Sequence, residues 1–391
     1  MKKLRIAVVI PTHFDIHSSL INLLKVYRHI IKTKNAEVAI FTDKKNSASY
    51  EDFKIVKIDG IDYKTPLEKI LFLLGIPRFY YRDIAEKLKD YDVIESSNPE
   101  FYGFAYQSYR AAKKYNKRLV YRTSQTVEGF YLFKLTKYLV VPIARKAYDY
   151  SKFLLFTNHQ AEERCLRLGL IRDTKKNIII GHATDIKCFR PMKNVNESDK
   201  TILLSVGGLY KIKGHHLIIR ALKKIIDSGF DAELWIVGKG YYKNSLLELA
   251  RKLGMDSKVK FLGTKNHEEL AQIYNKSSIF VLANYQEITP AVNEALACGK
   301  PVVVMECGGR EFVIPDESHG LVAKKFDVDD LSNKIKKLIV DKRLARKIAH
   351  NGRQHIIKNF SIEEVARKFY KACHGLDYQY EIQKYKTKEK I

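Results

Sequence analysis

Short apolar runs rich in β-branched residues recur along this chain, and helical segments separate them. Leu4–Ile10, Glu37–Phe41, Lys54–Ile58, Asp92–Glu95, Arg118–Tyr121, Phe153–Phe156 and Asn177–Ile180 read as strands. A second series begins at Thr201 and runs through Thr201–Val206, Ala232–Val237, Lys258–Gly263, Ser278–Ala283 and Pro301–Glu306. Most runs are continuously apolar rather than alternating, the pattern of parallel strands covered on both faces. Between the two series lies Gly181–Lys200, polar and aperiodic, which reads as a linker. The pattern predicts an α/β protein of two doubly wound domains in tandem, with ligands at the carboxyl ends of the strands.

A length of 391 residues suits two domains of ordinary size, and 46% hydrophobic content suffices for two cores. No apolar run reaches the ~18–20 residues that a bilayer span needs. The opening MKKLRIAVVIPTHF stops being apolar at Pro11, too soon for a secretory leader, and is expected to be a buried first strand. Five cysteines without a C-x-x-C pair argue against a disulfide framework or a structural zinc site, and point to a reducing cytoplasm. Seventy basic against 44 acidic residues give a formal charge of +26. Such a surface attracts polyanions, whether nucleic acid, anionic lipid head groups or nucleotides, and charge alone does not choose among them.

The stretch Ala283–Val304 carries the most chemistry. A strand runs into a polar loop, a helix opens at Pro290 and stops before Gly299, and another strand follows. Proline at the first helical position and glycine just past the last are the expected brackets. The free N–H groups of the helix start then sit at the carboxyl end of a strand, a geometry that collects phosphates. Glu294 lies in the first turns, where it either complements the helix dipole or serves a ligand. Gly207 and Gly208 follow a strand and lead to Lys213-Gly214, a loop whose amides can approach a diphosphate while Lys213 neutralises it or merely starts a solvated helix. Gly238-Lys239-Gly240 is too short for a dinucleotide fingerprint and reads equally well as a plain strand-end turn.

These motifs resemble those of the retaining glycosyltransferases with the GT-B fold, the group called family 4. Glu294-Ala-Leu-Ala-Cys-Gly-Lys-Pro-Val-Val matches the second half of their donor-binding signature. In the first half Glu287 stands one residue nearer than the pattern asks, and Gln286 holds the matching place. Asp185, Phe189 and Pro191 echo the family's inter-domain stretch, and Gly207-Gly208-Leu209 with Lys213-Gly214 echoes its phosphate loop, although Gly208 stands where the family has arginine. The resemblance covers roughly residues 180–375 well, and the first half only in its strand–helix order.

The resemblance implies two Rossmann-like domains facing each other across a cleft. It divides the chain into an acceptor-binding domain, 1–190, a nucleotide-sugar-binding domain, 191–360, and a C-terminal helix with a basic tail, 361–391, packing back on the first domain. It makes Lys213 and Glu287 catalytic. It assigns the donor to Gly207, Gly208, Gly238, Gly263, Thr264, Ile288, Thr289, Pro290, Ala291, Glu294 and Arg310, with Glu294 on the ribose hydroxyls and Lys211 or Arg310 as substitutes for the missing arginine. In the first half the family's glycine pair and sugar-contacting histidine are absent, and His13, His17, Glu95 and Ser124 are the candidates for an acceptor site. No metal or cofactor is implied beyond the nucleotide-diphosphate sugar itself. Two segments mixing Leu, Phe and Tyr with Lys and Arg, Pro66–Lys89 and Phe133–Phe153, fit either packing helices or an anionic membrane surface. The function expected is transfer of a hexose-type sugar to a lipid-linked or cell-surface glycan acceptor. A catalytically degenerate GT-B shell is the alternative. A nucleic-acid partner is not expected, because no recognition motif accompanies the charge.

Overall fold

The computed structural model describes residues 2–10, 18–44, 53–61, 80–124, 134–192 and 200–375. The chain forms two compact units, Met1–His182 with Glu363–Ile391, and Ala183–Ile362. The candidate residues His13 and His17 and most of 66–89 lie outside the described residues.

The first unit holds β1 (Leu4–Val9), β2 (Ala36–Asp43), β3 (Lys54–Ile58), β4 (Gly60–Ile61), β5 (Tyr80–Tyr81), β6 (Val93–Ser96), β7 (Arg118–Thr123), β8 (Phe153–Phe156) and β9 (Asn177–Ile179). Seven of these make one sheet in the order β3-β2-β1-β6-β7-β8-β9. Every pair in it is parallel. The short β4 and β5 pair antiparallel by themselves. Only the seven main strands coincide with the apolar runs, since two-residue strands leave no periodic trace.

Two charged networks lie inside this unit. Glu100, in the loop after β6, meets Arg164 of helix His159–Arg167 at 3.0 Å, with both side chains fully buried. Tyr148 donates to the second Glu100 oxygen at 2.8 Å. Glu95, on β6, is 1% exposed and accepts from Tyr27 and, at 2.7 Å, from Arg122 Nε. Its carboxylate is thus bound into the interior. Ser124, just past β7, is exposed. Helix Lys134–Tyr150 buries Val140, Val141, Ala144, Ala147 and Tyr148 and exposes Tyr138 and Ile143. Among the described residues no helix is long and apolar enough to cross a membrane.

The second unit holds β10 (Thr201–Val206), β11 (Ala232–Val237), β12 (Val259–Gly263), β13 (Ile279–Leu282), β14 (Val302–Met305) and β15 (Leu321–Ala323). Their order is β12-β11-β10-β13-β14-β15, with all pairs parallel. The chain winds one way from β10 to β12 and the other from β13 to β15. The strand order therefore reverses between β10 and β13, the place where doubly wound sheets open a crevice at their carboxyl edge. Strand β15 lies outside the runs expected from the apolar pattern. Part of the polar stretch read as a linker is packed into this unit: Phe189 is fully buried beside Tyr274, ring centroids 5.9 Å apart.

The Glu100–Arg164 pair gives a stability prediction. Arg164→Met alone leaves a carboxylate buried with only a phenol, and is expected to cost about 3–5 kcal/mol in urea unfolding. Arg164→Met with Glu100→Gln is expected to be less destabilised than the single variant. A double variant as unstable as the sum of the two singles would show that the pair carries no coupling.

Candidate functional site

The site is built by five loops at the carboxyl ends of β10 to β14. The loop after β10 carries Gly207, Gly208 and Lys213 and ends in Gly214, at φ +71°. A Cβ on Gly214 would fall 2.0 Å from the Ala283 carbonyl oxygen, so the loops after β10 and β13 touch backbone to backbone. Gly238, at φ +144°, follows β11, and a Cβ there would fall 1.9 Å from the Gly207 carbonyl oxygen. The Gly238 N–H in turn donates to Gly263 at the end of β12, at 2.8 Å. Thr264 beside it is exposed.

The amides of the first loop are not equivalent. Gly207 N–H donates to Val237 at 2.9 Å, and Leu209 N–H to Lys239 at 2.9 Å, extending the sheet into the loop. The Gly208 N–H has no acceptor among the described residues. A Cβ at Gly208 would lie 2.5 Å from the Tyr210 ring, so a larger residue there displaces that ring. Lys213 is half-buried, and its ammonium has no hydrogen bond or ion pair among the described residues.

Asn284 shapes the loop after β13. It is fully buried, accepts from Gln286 N–H at 3.1 Å and donates to the Glu287 carbonyl at 2.8 Å. Glu287 is half-buried, and Gln286 beside it is exposed. The backbone here pairs with the loop after β14: Ile288 N–H donates to Gly308 at 3.0 Å, and Gly308 N–H to Gln286 at 2.9 Å. The Ile288 amide is therefore already committed. Arg310, just beyond, is forked onto Glu306 at 3.0 and 3.2 Å.

Helix Pro290–Ala297 follows, with Thr289 as its N-cap and Pro290 in its first turn. It ends as the sequence predicts. Gly299 sits at φ +71°, its N–H donates to Leu296 at 2.9 Å, and Lys300 N–H reaches Ala295 at 3.0 Å. This crossed pair satisfies two terminal carbonyls. Every residue from Ala291 to Ala297 is buried. The first-turn amide of Ala291 has no acceptor within the helix, so it stays available to an anion. The Thr289 hydroxyl does not cap the helix, and its oxygen is buried without a partner among the described residues.

Glu294 is 3% exposed. Its Oε2 lies 3.0 Å from the Tyr274 hydroxyl, while its Oε1 is buried without a partner among the described residues. Tyr274 sits on helix His267–Lys276, which starts with a capping box in which Asn266 and Glu269 bond each other's backbone at 2.8 and 3.1 Å. The same phenol lies 3.0 Å from the Ala291 carbonyl. One phenolic proton cannot serve both acceptors at once. With Glu294 neutral, the carboxyl donates to the phenol and the phenol to Ala291. With Glu294 ionised, the phenol must turn to the carboxylate. Burial pushes the Glu294 carboxyl up to about 7, and the Tyr274 hydrogen bond only partly opposes this.

The structure thus gathers Gly207, Gly208, Lys213, Gly238, Gly263, Thr264, Glu287, Ile288, Thr289, Pro290, Ala291, Glu294 and Arg310 along one sheet edge of one unit. Glu95 and Ser124 belong to the other unit. Tyr274, Asn284 and His215 went unremarked in the sequence. Tyr274 and Asn284 carry no local signal, and His215 offers only a histidine directly after Lys213-Gly214.

The described fold is the GT-B type, two parallel-sheet, Rossmann-like units, of which the second carries a polar site at its topological switch. Residues 189–355 match the family described as glycosyl transferases group 1. The chain is 30% identical over 181 residues to an uncharacterised glycosyltransferase of Methanocaldococcus jannaschii, the match covering 46% of each protein. The chain thus spans about half the length of such curated relatives. It is 27% identical over 303 residues to the N,N'-diacetylbacillosaminyl-diphospho-undecaprenol alpha-1,3-N-acetylgalactosaminyltransferase of Campylobacter jejuni, covering 72% of this chain and 77% of that one. Among solved structures, Anabaena HepE in complex with UDP shares the fold at a TM-score of 0.77 and 16% identity, over 95% of this chain and all of that one.

The raised Glu294 carboxyl has a stability consequence. In the unfolded chain it ionises near its ordinary 4.5, and in the folded protein near 7. The folded state therefore holds the proton more tightly, and its stability falls as pH rises through that window. Glu294→Gln removes the titration. It is expected to exceed the wild type in urea unfolding by about 2–3 kcal/mol at pH 8, and by under about 1 kcal/mol at pH 5. A difference independent of pH would remove burial as the cause.

Proposed function

We propose that the protein is a retaining glycosyltransferase that moves a hexose-type sugar from a nucleotide-diphosphate sugar to a lipid-linked or cell-surface glycan acceptor, without a metal ion. The observation that carries this reading is the set of unmet polar groups at the β10/β13 crevice. Glu294 Oε1 and Thr289 Oγ1 are buried without partners, and Lys213 has no counter-ion among the described residues. A vicinal diol gives the carboxylate the hydroxyl donor that Oε1 lacks, with a second beside it. A diphosphate gives Lys213, the Gly208 N–H and the start of helix Pro290–Ala297 the anion they lack.

In this reading Glu294 holds the ribose hydroxyls, and Glu287 accepts hydrogen bonds from the donor sugar. The acceptor hydroxyl attacks the anomeric carbon from the face that the diphosphate leaves. The bond to the diphosphate oxygen breaks as the new glycosidic bond forms, and the acceptor proton passes to the departing phosphate. The protein's contribution is then charge stabilisation at the leaving group, by Lys213, the Gly208 amide and the helix start, in a site that holds both reactants. A lipid-linked acceptor is supported by the Campylobacter relative, whose name places a diphospho-undecaprenol on its substrate. A net charge of +26 supports a protein that works in the cytoplasm, peripheral to an anionic membrane face.

A second reading, a GT-B shell that binds sugar nucleotides without turning them over, is favoured by Gly208 in the place of an arginine and by Arg310 being held on Glu306. Turnover with UDP-, GDP- and ADP-sugars in the presence of membrane lipid extract separates the two. Product with the donor's anomeric configuration, formed equally well in chelator, supports the enzyme, and nucleotide binding without product supports the shell.

Two further outcomes are expected. Lys213→Ala lowers kcat about 10²–10³-fold with a much smaller change in donor Kd, because its charge is needed most when the leaving group develops its own. Equal losses in both would make Lys213 a plain binding residue. Nucleotide affinity falls as pH drops through about 7, where Glu294 takes up its proton, and Glu294→Gln binds weakly with no such pH dependence. An unchanged pH profile in Glu294→Gln would place the titrating group elsewhere.

A further inference from the structure

His215 opens helix His215–Asp227, one residue beyond Gly214, and is 1% exposed. Its Nδ1 lies 3.1 Å from the hydroxyl of Ser205 on β10. Its Nε2 is buried and, among the described residues, has no hydrogen-bond partner of good geometry, although the Gly207 and Gly208 backbone lies close to the ring. The ring lies against the Gly207–Gly208 turn, and a Cβ built on Gly207 would come within 3.9 Å of Nε2. A buried, unmet ring nitrogen is unfavourable in the empty protein, and a ligand at the turn removes that penalty. The turn is the one that leaves the Gly208 N–H uncommitted.

We propose that His215 is a neutral hydrogen-bond donor of the anion subsite, its Nε2–H serving a diphosphate oxygen held at the Gly207–Gly208 turn. This rests on the nucleotide-diphosphate reading above and adds a residue to it. The Ser205 hydroxyl proton, given to Nδ1, leaves the ring hydrogen on Nε2. Burial pushes the imidazole down to about 4. The Gly208 and Gly207 backbone opposes that shift, while His216 and Lys213 reinforce it. His215 is therefore uncharged at physiological pH. A neutral donor can stand beside Lys213 without the repulsion that a second cation would bring.

Isothermal titration tests this with UDP, GDP and ADP, each compared with its parent nucleoside. With the diphosphate that binds the wild type best, His215→Ala is expected to weaken binding about 10-fold or more, with nucleoside binding unchanged. His215→Gln, which restores an N–H donor, is expected to recover most of the loss, and Ser205→Ala, which frees the tautomer, to lose part of the affinity. Undiminished diphosphate binding by His215→Ala would overturn the proposal. So would equal losses for diphosphate and nucleoside, or a glutamine variant as weak as the alanine one, since each marks a purely structural role. His215→Gln also decides the matter should the alanine variant fail to fold. A wild type that binds none of the three diphosphates would instead overturn the nucleotide reading itself.

Discussion

The carbonyl oxygen of Ala283 occupies the space where a side chain on Gly214 would begin. With Gly214 in the left-handed region, the loop after β10 closes against the loop after β13 with no atoms between them. Lys213 immediately precedes that contact and His215 immediately follows it. On the other side, Ala283 leads through the Asn284 turn to Thr289 and Glu294. A second close approach, Gly238 on Gly207, extends the arrangement to β11, and the Gly238–Gly263 hydrogen bond extends it to β12. Any side chain at Gly214 would both clash and strain the backbone, because an L-residue seldom adopts that φ. The site's polar groups are therefore placed by main-chain contact, which has far less freedom than contact through rotamers.

Much of this was legible in the sequence. The apolar runs located the main strands, and Pro290 with Gly299 bracketed the helix that carries Glu294. The motif after β10 lay where a doubly wound sheet places its phosphate loop. What was not legible depends on register between strands far apart in sequence. Tyr274 reaches Glu294 only because its helix packs over the adjacent one. Gly207 loses its amide only because β11 runs alongside, and Ile288 loses its own only because the loop after β14 does. Glu95 read as a residue near a strand's carboxyl end, and nothing local showed that Tyr27 and Arg122 enclose it. Glu287 and Gln286, one residue apart, were ambiguous by spacing. The Asn284 turn separates them, leaving Gln286 exposed and Glu287 half-buried.

The two units treat buried charge in opposite ways. In the first, Glu95 meets Arg122 and Glu100 meets Arg164, so that each desolvated carboxylate has a cation within hydrogen-bonding distance. Removing a charge from water is costly, and pairing offsets most of that. In the second unit Glu294 is as deeply buried but faces only a phenol, and its carboxyl rises to about 7 as a result. Lys213, at the end of the neighbouring strand β10 along the same edge, has no counter-ion among the described residues. Folding alone favours joining a buried carboxylate to a nearby lysine, as the first unit does twice with arginine. Keeping them apart costs stability in the empty protein and leaves each with capacity that only a ligand fills, hydroxyl donors for the carboxylate and negative charge for the lysine. A molecule carrying a diol and a diphosphate a few bonds apart would satisfy both at once, and that pairing of needs, more than any single motif, is the physical basis of the proposal that a sugar nucleotide binds at this edge.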